Sequence, residues 1–75
     1  MADSVYYEHI KIETEQEADG RWIAEAIELP GVLAYGKTEQ DAIRSVEALA
    51  LRVIAGRIED SSDDVRQISV SMGCA

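Results

Sequence analysis

The chain has one cysteine, one proline and one histidine in 75 residues, and seven lysines and arginines against fifteen aspartates and glutamates. Each scarcity excludes something. Cys74 has no partner for an internal disulfide, as in proteins of reducing compartments. His9 has neither a second histidine nor a nearby cysteine, so no metal-ligand set and no nucleophile–base pair can be built around it. It reads as solvated or partner-facing. No apolar stretch approaches the roughly 20 residues that a membrane span requires, and the start, "MADSVYYEHIK", lacks the basic and apolar regions of a signal peptide. The expected compartment is the cytoplasm, with no membrane partner. A formal charge of -8 opposes a phosphate backbone, so direct nucleic-acid binding is not expected and a basic protein is the better-matched partner. The other reading of the same charge is solubility alone. A domain of this length buries only about 60% of its unfolded surface, which leads us to expect self-association as a homodimer or higher homo-oligomer.

What is present is a readable alternation. Residues 5–14, "VYYEHIKIET", place Tyr6, Glu8, Ile10, Ile12 and Thr14 on one face and Tyr7, His9, Lys11 and Glu13 on the other, a half-buried strand. Asp19-Gly20 supplies a hairpin turn into a second strand over 21–29. There Trp22, Ala24 and Ala26 share one face while Ile23 and Ile27 share the other, and the alanines leave room for close packing. Pro30-Gly31 breaks that strand, and 32–36 forms a third. Thr38 is placed as the N-cap of an amphipathic helix near 39–57, with Asp41 as a weak capping-box partner. Its stripe is Ala42, Ile43, Val46, Leu49, Ala50, Val53 and Ile54. An acidic loop, 59–64, leads to a fourth strand with Ile68, Val70 and Met72 on one face. The expected class is α+β, a single β-β-β-α-β domain over 1–75. Its antiparallel three-strand meander is joined by a fourth strand beside the first and parallel to it, with one helix packed on the sheet.

The segment "GVLAYGKT", Gly31 to Thr38, formally fits the phosphate-binding pattern G-x-x-x-x-G-K-[ST]. The fit is of letters rather than of chemistry. A phosphate cradle must be a loop of exposed backbone N–H groups, whereas Val32, Leu33, Ala34 and Tyr35 suit a strand. Strand followed by helix cap is the better reading.

The ordered set Asp19-Gly20, Trp22-Ile23-Ala24, Glu28-Leu29-Pro30-Gly31, Gly36, Thr38 and Asp41-Ala42-Ile43 resembles the N-terminal domain of the HicB antitoxin family. The resemblance implies a partial ribonuclease-H-like fold. It also implies a type II toxin–antitoxin role: covering the RNA-binding and catalytic surface of a small basic mRNA-cleaving toxin, HicA. Ile27 stands where many relatives have proline, the loop at 59–64 lacks their prolines, and no C-terminal DNA-binding domain is expected after the fourth strand.

Glu25, Glu28 and Tyr35, near the Pro-Gly corner, are candidate contacts to a basic partner, with Leu29, Tyr35 and Trp22 as candidates for its apolar centre. Glu25 and Glu28 read equally as solvated carboxylates, and a lone Trp22 reads more readily as core. Gly20, Pro30, Gly31, Gly36 and Thr38 are assigned to structure. No catalytic, cofactor or metal residue is assigned, and no enzyme activity is expected. Two rival functions remain open. One is a stand-alone regulatory or ligand-binding domain. The other is a residual metal-dependent nuclease using Glu8, Glu13 or Glu25, although Glu8 and Glu13 fall on opposite faces and cannot converge on one metal.

Overall fold

In a computed structural model that describes residues 5–61 and 64–74, the chain forms β1 (Val5–Gln16), β2 (Trp22–Ala26), β3 (Leu33–Gly36), α1 (Glu39–Asp60) and β4 (Gln67–Cys74). The sheet order is β3-β2-β1-β4, with β1–β2 and β2–β3 antiparallel and β4 parallel to β1. This is the α+β arrangement read from the alternation, and α1 is the crossover that a parallel strand requires.

Both corners of the meander are set by their glycines. At the first, the Gly20 N–H donates to the Glu17 carbonyl at 2.9 Å and the Glu17 N–H to the Arg21 carbonyl at 2.7 Å, with Gly20 at φ 92°. A turn followed by a left-handed glycine is a bulged hairpin loop. The Arg21 backbone N–H and Nε both donate to the Asp19 carboxylate, at 3.0 and 2.8 Å. Those bonds, the backbone one first, hold the Asp19 carboxyl below its ordinary range.

The second corner begins earlier than the sequence suggests. β2 ends at Ala26 instead of running to residue 29. The Leu29 N–H donates back to Ala26 and the Val32 N–H back to Leu29, while the Ala26 N–H closes the corner on Val32, each at 3.0 Å. Gly31 takes φ 80°, and Pro30 has no N–H to carry the ladder on. The two successive turns fold Leu29 inward, where only 1% of it is exposed.

Helix α1 starts where the capping residue places it: Thr38 Oγ1 accepts from the Asp41 N–H at 3.1 Å. Gly36 allows that start to lie against β3, since a β-carbon there would overlap the Ala42 backbone nitrogen. The helix continues to Asp60, beyond the expected end near 57. Neither proline nor glycine occurs in 57–60 to stop it, so Glu59 and Asp60 extend it in solvent. Of the loop expected over 59–64, residues 62 and 63 lie outside the described residues.

The core is one layer between helix and sheet. Ile10, Ile12, Ala24, Ala26, Leu29 and Val32 meet Ala42, Ile43, Val46, Ala50 and Ile54 of the helix stripe. Burial of these side chains is the main stabilising term, at about 25 cal/mol per Å² of apolar surface. Two polar contacts fix the helix along β1: the Thr14 hydroxyl donates to Glu39 Oε2 at 2.7 Å, and Arg57 Nη1 reaches Glu8 Oε1 at 3.4 Å. Helix α1 therefore runs back along the sheet. It lies over β2 and β3, less over β1, and barely reaches β4.

Candidate functional site

With the helix covering one face of the sheet, strand parity sends every other side chain to the uncovered face. Registers of β1 with β2 and β2 with β3 set these side chains in rows across three strands. One row is Glu13, Glu25 and Leu33, and the next is Glu15, Ile23 and Tyr35. Leu33 and Tyr35 are 38% and 45% exposed. The result is an apolar centre of Ile23, Leu33 and Tyr35 edged by three carboxylates. The Arg21 guanidinium lies 4.6 Å from the Tyr35 ring centre, a cation–π contact that steadies the ring beside the hairpin.

Glu13 and Glu25 are direct cross-strand neighbours. Like charges so placed oppose folding. A cationic group arriving from outside would relieve that repulsion. Glu13, Glu15, Ile23 and Glu25, with Thr14, line a depression of about 250 Å³. That is below the roughly 300–1,000 Å³ of small-molecule pockets, which are also mainly apolar. An acid-edged, shallow, partly aromatic surface is better matched to a protein carrying lysines and arginines.

The structure distributes the expected contact residues unevenly. Glu25 and Tyr35 lie together on the open face. Trp22 is half-buried on the opposite, helix-covered face, packed at the edge of the core. Leu29 belongs to the core. Glu28 is engaged within the fold, where its Oε1 accepts the Lys11 backbone N–H at 2.8 Å and supplies an acceptor at the point where β2 has left the ladder. Glu13, Glu15, Ile23 and Leu33 complete the surface, and none of them is marked as a contact by the sequence motifs. The signal that finds them is register, obtained by counting back along both strands from the Asp19-Gly20 turn.

Other residues weighed for chemistry fall apart in space. Glu8 points to the helix side and pairs with Arg57, while Glu13 points to the open face. Among the described residues, no three His, Cys, Asp or Glu side chains are grouped to hold a metal ion. His9 is exposed opposite Ser71. The Gly31–Thr38 segment is a turn, a strand and a helix cap, with no loop in which a phosphate would lie. Among the described residues, no helix is long and apolar enough to cross a membrane. Compared with protein-family models, with curated proteins and with solved structures, the chain matches none of them.

Proposed function

We propose that this chain is a HicB-like antitoxin of the cytoplasm, without catalytic activity of its own, that neutralises a small basic mRNA-cleaving toxin by occupying the surface on which the toxin holds RNA. The observation that carries the reading is the open face of β1, β2 and β3, where Glu13, Glu15 and Glu25 edge the apolar centre of Ile23, Leu33 and Tyr35. A chain of charge -8 competes with RNA by presenting carboxylates where phosphates would lie. The ordered residues from Asp19 to Ile43 that resemble the family add support.

The two parts of the surface act on different rates. Carboxylates raise the association rate and lose influence as salt screens them, within a Debye length of about 8 Å at physiological ionic strength. The apolar centre, once desolvated, slows dissociation. Glu13→Gln with Glu25→Gln should therefore slow association and flatten its salt dependence. Tyr35→Ala should mainly speed dissociation, weakening binding about 30-fold if Tyr35 behaves as a hot spot of about 2 kcal/mol.

The first test is whether a neighbouring reading frame encodes a small basic protein, and the second is binding of the purified chain to that protein, read by stopped-flow, with RNA cleavage by it followed in parallel. Binding that abolishes cleavage supports the proposal. No binding at low salt with both proteins folded would remove it. RNA or DNA cleavage by the isolated chain in Mg²⁺ or Mn²⁺, lost on Glu13→Gln or Glu25→Gln, would favour the metal-nuclease reading instead.

A further inference from the structure

The free edge of β4 is at odds with the usual protection of sheet edges. β4 is an outer strand, and its far side meets no other strand among the described residues. Natural sheets blunt such edges with lysine, proline, bulges or very short strands. β3, the opposite edge, is four residues long. β4 is eight, reads "QISVSMGC", and carries neither charge nor proline, although 29% of the chain is charged. Interior strand β1, by contrast, holds Glu8, Lys11, Glu13 and Glu15. Charge has been kept off the one long edge.

The helix-side face of β4 is only partly covered, with Val70 and Met72 packed at the edge of the core. Tyr6 is opposite Ile68, Glu8 opposite Val70 and Ile10 opposite Met72, which assigns Ile68, Val70 and Met72 to the helix side. Yet α1 barely reaches β4, and Ile68 is 54% exposed. Ser69 and Ser71 face the other way, exposed and uncharged.

We infer that β4 is the interface of a homodimer, in which the β4 strands of two copies pair antiparallel about a two-fold axis through Val70. The occupant is selected by charge and by symmetry. Two copies of a chain at -8 repel each other wherever carboxylates face, and β4 offers eight consecutive residues where none does. The strand is also self-complementary: the two-fold sets Val70 against Val70 of the second copy, Ile68 against its Met72, and Ser69 against its Ser71. Apolar therefore meets apolar on the helix side and hydroxyl meets hydroxyl on the open side, as cross-strand pairing favours. Backbone hydrogen bonds close the edge, and two sheets become one of eight strands. Both helices then lie on one face. The two acid-edged surfaces lie on the other, separated across the sheet by five strand spacings of about 4.8 Å, or about 24 Å. They are further offset along the strands, because the two-fold at Val70 is level with Glu8 and carries Glu13 and Glu15 of the two copies in opposite directions. Dimerisation thus leaves them free, and it stands whether or not the toxin-binding proposal does.

The test needs only the full chain. Sedimentation equilibrium over the micromolar range should give twice the mass of the 8.2 kDa chain. Ser69→Glu with Ser71→Glu, two exposed changes that touch no core residue, should weaken the dimer at least tenfold while leaving the circular dichroism of the monomer unchanged. In a Cys74→Ser background, Val70→Cys should cross-link two copies under mild oxidation, whereas Ile27→Cys, exposed away from β4, should not. A monomer at high micromolar concentration would overturn the inference. So would a dimer insensitive to the paired glutamates and not cross-linked through residue 70.

Discussion

The two halves of the sheet solve the problem of exposure in opposite ways. On the β2–β3 side, the helix covers one face closely, through Ala24 and Ala26 and against Gly36, and the other face carries the acid-edged apolar surface. On the β4 side, the helix is nearly absent, Ile68 stands exposed, and the strand carries no charge at all. The contrast separates two kinds of association. On the two proposals above, the carboxylates edging Ile23, Leu33 and Tyr35 suit a cationic partner better than a second acidic copy, whereas the uncharged edge of β4 sets no like charges against a second copy.

Substitutions can break this contrast, and their expected effects are graded. Ile10 is fully buried in β1, so Ile10→Ala should cost about 2–5 kcal/mol in urea unfolding. Ile68→Ala should leave the stability of dilute protein nearly unchanged and instead reduce the concentration dependence of Tm, as linkage to association requires. Equal losses at dilute concentration for the two variants would mean that β4 is as well covered as β1. Next is Gly36→Ala, whose β-carbon would run into the Ala42 backbone nitrogen; overpacking of this kind costs about 1–3 kcal/mol. A neutral result would place the helix start farther from β3. Thr38→Ala removes the acceptor of the Asp41 N–H and should cost about 1 kcal/mol.

The smallest effect is a pH dependence. The Asp19 carboxyl is held below its ordinary value of 3.8, chiefly by the Arg21 backbone N–H. Its contribution to stability is therefore present above the unfolded value and is lost as pH falls through the lowered folded value. Asp19→Asn should show less loss of stability on acidification across that window in pH-dependent urea unfolding. An identical acid profile for the variant would show that the Asp19 loop is not held as described.

Much of this architecture is legible in the residues, because strand parity and helical spacing are local. The face carrying Tyr6, Ile10 and Ile12, the alternation of Trp22, Ala24 and Ala26 against Ile23 and the Thr38 cap all follow from near neighbours, and the parallel fourth strand follows from the helical crossover before it. What escapes a reading of the sequence depends on contacts between segments. Leu29 looks like the end of an exposed strand until two successive turns fold it inward. Glu28 looks like a surface carboxylate until Lys11 is placed beside it. Glu59 and Asp60 resemble a loop in composition, which suggests a helix end near 57, but composition does not end a helix without a glycine, a proline or a competing cap. The candidate surface is half legible: Glu25 and Tyr35 follow from the Pro-Gly corner, while Glu13, Glu15, Ile23 and Leu33 require the register between strands.

The most direct measurement is an NMR titration of the isotope-labelled chain with the proposed partner, a small basic protein encoded in an adjacent reading frame, at low and at physiological salt. Amide shifts should concentrate at Glu13, Glu15, Ile23, Glu25, Leu33 and Tyr35, leave residues 67–74 of β4 unchanged, and require more partner as salt rises. Shifts confined to α1 or β4, or none at low salt with both proteins folded, would contradict the assignment of the open face as the toxin-binding surface.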